Sequence, residues 1–279
     1  MRTPRTTSPL VLVTGASSGI GRATAIRLLR GGARVILVAR RAEALAETVA
    51  LAGGDCGARA LLHPCDLGDR DELRALAVAV RAEHGTLDAL VNNAGVGSSA
   101  TFEGDDGFAD AERMLELNLR APIALTFELA DLLIQARGTI VNISSVAGLV
   151  GTPDSPVYSA TKWGLTGFTE ALRARYDGLG VRVVCVQPGP VPTPGWSHER
   201  FAGPVSRRVF ASDADSIARC VERAIAGRGG SSPVRPIMYA VIPTLRGIAP
   251  WFVRWLLAAS TRNGVPTAST GRETGTPTP

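Results

Sequence analysis

Cysteine is scarce and scattered: Cys56, Cys65, Cys185 and Cys220 are the four in 279 residues, and no two form a CxxC pair. That spacing argues against a zinc site or other metal centre and against a disulfide framework, and it suits reduced thiols in a cytoplasm. Basic runs are absent too. The 30 Lys+Arg residues stand scattered against 25 Asp+Glu, a net charge of +5 without the stripe that a nucleic-acid partner requires. No apolar stretch reaches the ~20 uninterrupted residues of a membrane span. The longest candidate, VIPTLRGIAPWFVRWLLAAS, is broken by Pro243, Arg246, Pro250 and Arg254. The head, MRTPRTTSP, is too short and polar to hold the apolar core of a signal peptide, so export is not expected. Apolar content itself is ample: 45% hydrophobic residues exclude disorder throughout and suffice for one large α/β domain.

Six apolar runs recur along the chain, at Leu10–Val13, Val35–Val38, Ala60–Leu62, Leu87–Val91, Thr139–Ile143 and Val181–Val186, with segments of helical period between them. Most are continuously apolar, as strands buried on both faces are. The expected fold is therefore α/β: a single domain with a doubly wound parallel sheet covered by helices on both faces. Residues 10–260 read as that domain, between a flexible head at 1–9 and a disordered tail at 261–279 that is rich in Thr, Gly and Pro. The stretch PGPVPTPGW opens a loop over about 190–211, followed by a helix in SDADSIARCVERAIAG with Ser212 as its expected cap.

Thr14 to Gly21 reads TGASSGIG and places Gly15, Gly19 and Gly21 where the first strand hands over to the helix GRATAIRLLR. Glycine is costly at a helix start, so three imply that something approaches the backbone closely. A phosphate is the usual guest, met by main-chain N–H groups and the positive end of the helix; a ligand-free glycine turn is the alternative. NNAG, Asn92 to Gly95, closes the strand LDALV, and Ser144 and Ser145 follow GTIVNI, where a hydroxyl either meets a substrate oxygen or only forms a turn. Asn118 lies among leucines in a helical stretch, where a buried amide needs partners. In SPVYSATKWG, Tyr158 and Lys162 stand one helical turn apart on one face. An ammonium beside a phenol favours the phenolate and draws the tyrosine pKa down from about 10, as a general acid/base requires. A chance pair on an exposed helix is the alternative reading. Ligands of open α/β sheets bind beyond the carboxyl ends of the strands, where these motifs fall.

Taken together the motifs resemble a short-chain dehydrogenase/reductase over roughly residues 8 to 230: TGxxxGxG at Thr14 to Gly21, NNAG at Asn92 to Gly95, the active-site asparagine at Asn118, serine at Ser145, YxxxK at Tyr158 to Lys162, and PG at Pro188-Gly189, all in family order with thirteen positions from Ser145 to Tyr158. The resemblance implies a Rossmann-type sheet and an enzyme that moves hydride between a nicotinamide and a carbonyl/alcohol carbon. It implies that Tyr158 exchanges the proton, Ser145 holds the substrate oxygen, Lys162 lowers the tyrosine pKa and bonds the nicotinamide ribose, and Asn118 positions a water leading from Lys162 to solvent. The cofactor would lie along Gly15, Ser17, Ser18, Gly19, Ile20 and Gly21, along Asn93, Ala94 and Gly95, and along Pro188, Gly189, Val191 and Thr193, with Asp66 and Leu67 near the adenine. Family members are commonly homo-dimers or homo-tetramers, so an oligomer is implied.

An acid at the end of the second strand would accept from an NAD ribose, whereas arginine suits a 2′-phosphate. The strand here ends VILVARR, with Ala39 at the acid's place and Arg40 and Arg41 next, so NADP(H) is expected over NAD(H). A dinucleotide-binding regulator without turnover and a nucleotide-sugar epimerase are the rival readings. Substrate walls are expected at Val146 to Val157 and Pro190 to Phe210, whose Leu149, Val150, Trp196, Phe201 and Phe210 suggest an apolar substrate. Residues 241–260 are expected to be a C-terminal apolar helix segment, in which Pro250–Ser260 forms a helix opened by proline, with Phe252, Trp255, Leu256 and Ala259 on one face. That face needs cover from the domain or a partner subunit, from a membrane surface, or from a partner protein.

Overall fold

In the computed structural model, residues 8–97, 107–153, 155–191, 212–228, 230, 233–235 and 237–252 are described. Thr193, Trp196, His198, Phe201 and Phe210 of the expected substrate loop, residues 1–7, and everything after Phe252 lie outside them. Among the described residues seven strands form the sheet: β1 Leu10–Thr14, β2 Arg34–Ala39, β3 Ala60–Pro64, β4 Ala89–Asn92, β5 Thr139–Ile143, β6 Arg182–Pro188 and β7 Val234–Arg235. Their order is β3-β2-β1-β4-β5-β6-β7, every neighbouring pair parallel. The helices are α1 Gly19–Arg30, α2 Ala42–Ala52, α3 Arg70–His84, α4 Gly107–Leu115, α5 Ala121–Glu128, α6 Ala130–Ala136, α7 Pro156–Tyr176, α8 Ala214–Ile225 and α9 Ile242–Ile248.

The alternation of side chains along each strand divides the interior into two cores. Val11 and Val13 of β1 join Val35, Leu37, Val91, Val141 and Val184 beneath α1, α2 and α8. Leu10 and Leu12 join Ile36, Val38, Leu90 and Ile140 beneath α3, α5, α6 and α7. Both faces are apolar because both are covered, which is why these strands read as continuous hydrophobic runs. Val11 lies opposite Val35 on one side and Ala89 on the other, so the chain switches sides at β1 and opens a crevice beyond the ends of β1 and β4.

The structure departs from the sequence expectations in several places. The seventh strand, β7, has two residues, too few for a pattern. The long helical stretch around Asn118 is broken into α4, a π-turn at Glu116–Arg120, α5 and α6. Pro122 stands in the first turn of α5, where a missing N–H costs nothing, and Leu129, at φ −106, ends that helix. The cap of α8 is Asp213, not Ser212: its carboxylate accepts from Ser216 N at 2.7 Å, while buried Ser212 donates its N–H to Pro190 O at 2.8 Å. A carboxylate serves better at the positive end of a helix. Residues 250–252 and α9 both fall in the apolar segment expected to be helical at 241–260, but that segment is interrupted at Ala249, at φ −134. All four cysteines are free and buried. Among the described residues no helix is long and apolar enough to cross a membrane, and no cluster of His, Cys, Asp or Glu could hold a metal.

Candidate active site

The glycine loop is laced to the end of β4. The Thr14 hydroxyl donates to Val91 O at 3.2 Å and accepts from the N–H groups of Asn93 and Ala94 at 2.8 and 2.9 Å. Asn93 Nδ2 returns to Thr14 O at 2.8 Å and Gly15 O at 3.4 Å, so this amide secures the loop. Gly15 and Gly19 are left-handed, at φ +66 and +52, a conformation that favours glycine. Gly21 has a different role: a Cβ there would lie 2.2 Å from Gly15 O and 2.5 Å from Asn93 Nδ2, so its bareness lets α1 close on the loop. Ser18, at the N-cap of α1, makes no side-chain cap, and the first turn holds no acid. The free N–H groups and positive helix end are thus left for an anion, and a dinucleotide pyrophosphate fits these residues.

Ala16 is held between β2 and α2, its N–H donating to Val38 O at 3.2 Å and its carbonyl accepting from Thr48 Oγ1 at 3.0 Å. Ala39, Arg40 and Arg41 therefore stand beside the loop, and both arginines are exposed. Arg22, by contrast, is engaged: Nε donates to Ser17 O at 3.0 Å and the rest of the guanidinium grips Glu47. Cys65 N donates to Ala39 O at 3.0 Å, which brings Asp66 and buried Leu67 to the same edge. Asp66 Oδ1 accepts from Gly68 N at 2.9 Å. Pro188 and Gly189 end β6 at the edge, whereas the Val191 side chain packs into the core with Val184 and Val186.

Across the crevice, the two serines after β5 part ways. Ser144 is buried and donates to Lys162 O at 2.9 Å, fastening α7 to the sheet. Ser145 faces the site; its Oγ accepts from Ala147 N at 3.1 Å and reaches Pro188 O at 3.5 Å. Its hydroxyl lies near enough to the Tyr158 phenol to favour the phenolate. Lys162 lies one turn on along α7, 5% exposed, with Nζ donating to Ile143 O at 3.0 Å and 5.6 Å from the centre of the Tyr158 ring. Asn118, on the π-turn, is buried. Its Oδ1 accepts from Val96 N at 2.7 Å, and its Nδ2 donates to Val96 O at 2.8 Å and Thr161 Oγ1 at 3.3 Å. A Cβ on Gly95 would lie 2.9 Å from Asn118 Oδ1 and 3.6 Å from Lys162 Nζ, so the glycine keeps open the space at the ammonium. Asn118, Ser145, Tyr158 and Lys162 thus converge, as the motifs require.

Two features escaped the sequence reading. Asn92, the first residue of NNAG, points away from the crevice: Nδ2 donates to Asn142 Oδ1 at 2.8 Å and Thr126 Oγ1 at 3.1 Å, and Asn142 Nδ2 donates to Thr169 Oγ1 at 2.9 Å. This buried polar row ties β4 and β5 to α5 and α7. The signal was an asparagine inside each of two otherwise apolar strands. The second feature is compositional: of 30 Lys+Arg residues, Lys162 alone is lysine. Arginine stays charged at any pH a protein meets, whereas a buried lysine shifts its pKa.

The chain resembles known proteins along most of its length. A family model described as short chain dehydrogenase matches residues 9–201. A 3beta-hydroxysteroid dehydrogenase of Mediterraneibacter gnavus is 38% identical over 189 residues, 66% of this chain and 67% of that one. A metagenomic short-chain oxidoreductase solved with NADP is similar at a TM-score of 0.66 and 35% identity, over 82% of this chain and 98% of its own. An actinorhodin polyketide ketoreductase variant solved with NADPH gives a TM-score of 0.71 at 33% identity, over 82% of this chain and 95% of its own.

The electrostatics depart from the expected tyrosine–lysine pairing. Burial pushes the Tyr158 phenol upward, against the Ser145 hydroxyl, which favours the phenolate. Burial likewise lowers Lys162 from 10.5 to about 8. Desolvation, which disfavours both charged forms, outweighs attraction between a phenolate and an ammonium that meets the ring's face rather than its oxygen. Below about 8 both the folded and unfolded chains carry the Lys162 proton, and folding bears the full cost of burying it. Between about 8 and 10.5 the folded chain has released it and the unfolded chain has not, so this cost fades as pH rises. The shift corresponds to about 3 kcal/mol, offset by roughly 1 kcal/mol from the bond to Ile143 O. Lys162→Met is therefore expected to be more stable than the parent at pH 7, by about 1–3 kcal/mol, with the gain shrinking toward pH 10. Urea midpoints at the two pH values check this; a variant less stable at pH 7, or a gain independent of pH, contradicts it.

Proposed function

The chain belongs to the short-chain dehydrogenase/reductase family, and on that premise we propose that it is an oxidoreductase that uses NADP(H) to interconvert a carbonyl and an alcohol. The observation that carries this reading is the contact between the Ser145 and Tyr158 hydroxyls with the Lys162 ammonium at the face of the same ring. NADP(H), when bound, supplies or accepts the hydride. The two hydroxyls hold the substrate oxygen between them. In reduction the Tyr158 hydroxyl gives its proton to that oxygen, and in oxidation the phenolate takes it back. Lys162 stabilises the phenolate left behind, an interaction strengthened by the low polarity that raises the resting phenol pKa. Asn118 acts by position: it holds Val96 against Thr161 and keeps the β4 segment clear of Lys162 Nζ. A protein that only bound a dinucleotide would need none of these proton-handling groups.

The uncapped end of α1 would hold the pyrophosphate, and Arg40 and Arg41 the 2′-phosphate, beside Ala39 where a carboxylate would repel it. The solved relatives that carry NADP or NADPH support this choice. Half-buried Leu149 and Val150 beside Ser145 favour an apolar substrate.

Tyr158→Phe is expected to lower kcat by about 10²–10⁴-fold, the usual contribution of a positioned acid/base, while leaving NADPH binding nearly unchanged. Turnover on a panel of carbonyl compounds and fluorescence titration of NADPH read the two separately; near-parental turnover by the variant overturns the assignment. The parent should prefer NADPH to NADH by about tenfold or more, since a charge-assisted phosphate contact exceeds the 1.4 kcal/mol that tenfold represents. Ala39→Asp with Arg40→Ala should reverse the preference. Equal affinities in the parent contradict the arginine reading.

A further inference from the structure

Two residues beyond Asn118, the π-turn at Glu116–Arg120 ends on an arginine that neither the proton-handling groups nor the phosphate cradle uses. Its guanidinium reaches across to the loop between β3 and α3, where Nη2 donates to Leu67 O at 3.3 Å and to Gly68 O at 3.2 Å. Glu116, one turn back, accepts from Arg120 Nε, and Arg70, the first residue of α3, reaches the same glutamate at 3.4 Å. The Arg120 side chain is drawn in, 25% exposed against 70% for Arg70. Leu67, Ala94, Leu117 and Ala121 line one small pocket, so the loop and the π-turn face the same space. The rest of the loop is bonded almost to completion. Cys65 N donates to Ala39 O at 3.0 Å, Asp66 N to Glu72 Oε2 at 2.7 Å, Gly68 N to Asp66 Oδ1 at 2.9 Å and Asp69 N to Asp66 O at 3.0 Å. Among the described residues, what is left over is the Leu67 N–H, which has no acceptor, and Asp66 Oδ2, which has no donor.

We propose that Arg120 is a positioning residue for the adenine half of NADP(H), setting the loop at 65–69 so that the Leu67 N–H and the Asp66 carboxylate meet the edge of the base. The inference rests on the proposed oxidoreductase reading. Adenine presents a ring-nitrogen acceptor beside an amino donor, and a main-chain N–H beside a carboxylate oxygen is the matching pair. Such a pair selects a base only where the backbone is held still. Three peptide planes span Asp66 to Asp69; the first is fixed by the bond from Asp69 N, and the carbonyls of the other two are both taken by Arg120. A guanidinium suits that task, because it presents several donors in a rigid plane and Glu116 anchors the plane from the side. The competing role for Arg120 is to brace the π-turn for Asn118, and it predicts the opposite kinetics.

Arg120→Met keeps the aliphatic stem and removes the donors, whereas Arg120→Lys keeps the charge and loses the fork. The full chain is titrated with adenosine 2′,5′-bisphosphate, which carries the adenine half alone, by calorimetry, and with NADPH by fluorescence. Arg120→Met should raise both Kd values by the same factor of about ten or more, since charge-assisted bonds to two carbonyls are lost. Arg120→Lys should raise them by about threefold, because an ammonium cannot reproduce the planar set of donors. At saturating NADPH, with a carbonyl compound that the parent reduces, kcat of either variant should stay within about twofold of the parent's. Circular dichroism melting identifies the folded variants, and Arg120→Lys alone decides the matter if Arg120→Met does not fold. Unchanged Kd values overturn the proposal. So does a larger fall in kcat at saturating NADPH, which makes Arg120 the brace of the turn under Asn118. If the parent binds NADPH but reduces no carbonyl, the oxidoreductase reading fails while the two Kd values still decide the role of Arg120. A parent that binds neither ligand overturns both.

Discussion

An ammonium group taken out of water and given one carbonyl in return is an expensive thing to build into a core. Lys162 is that group, and much of the surrounding structure serves to hold it. Its own carbonyl is anchored by Ser144, and its neighbour Thr161 by Asn118. The helix that carries it is tied to the sheet by the row from Asn92 through Asn142 to Thr169. Gly95 contributes by having no side chain where one would crowd Nζ. These bonds leave Lys162 few ways to relax, which is the condition for a displaced pKa. Arginine could fill the volume, but it could not release a proton near neutrality.

The sheet topology explains why this apparatus meets a phosphate site. Reversal at β1 splays the loops after β1 and β4 apart, and Thr14 and Asn93 then lace those loops into one rim. The glycines divide the work. Gly15 and Gly19 supply left-handed backbone, and Gly21 supplies clearance for α1. The helix end is left uncapped in consequence, with Arg40 and Arg41 exposed beside it.

The sheet was legible in the sequence because its strands are buried on both faces, so that their apolar runs stand out without any need for alternation. Tyr158 and Lys162 were legible because helical spacing alone puts them on one face. What escaped was long-range. Nothing local tells Asn92, which turns inward, from Asn93, which turns to the loop, since a strand's alternation decides it only once the register is known. The two-residue β7 has no pattern of its own and exists through pairing with Gln187 and Pro188. The apolar segment at 241–260 read as helical, but nothing in its stripe marks the break at Ala249 that separates α9 from residues 250–252. The pKa of Tyr158 was misjudged because spacing shows that an ammonium is near and does not show how dry the site is.

The central claim is that the burial of Lys162, not its proximity to Tyr158, dominates the resting site. The composition offers a clean way to measure it, because the chain contains a single lysine. Protein grown with lysine labelled with carbon-13 at Cε should give one side-chain signal, whose chemical shift can be followed across pH. The account predicts a midpoint near the value of about 8 set by burial. A midpoint at the ordinary 10.5 would contradict it, since the ammonium would then be solvated or paired and the site would lack the dryness on which the proposed chemistry depends.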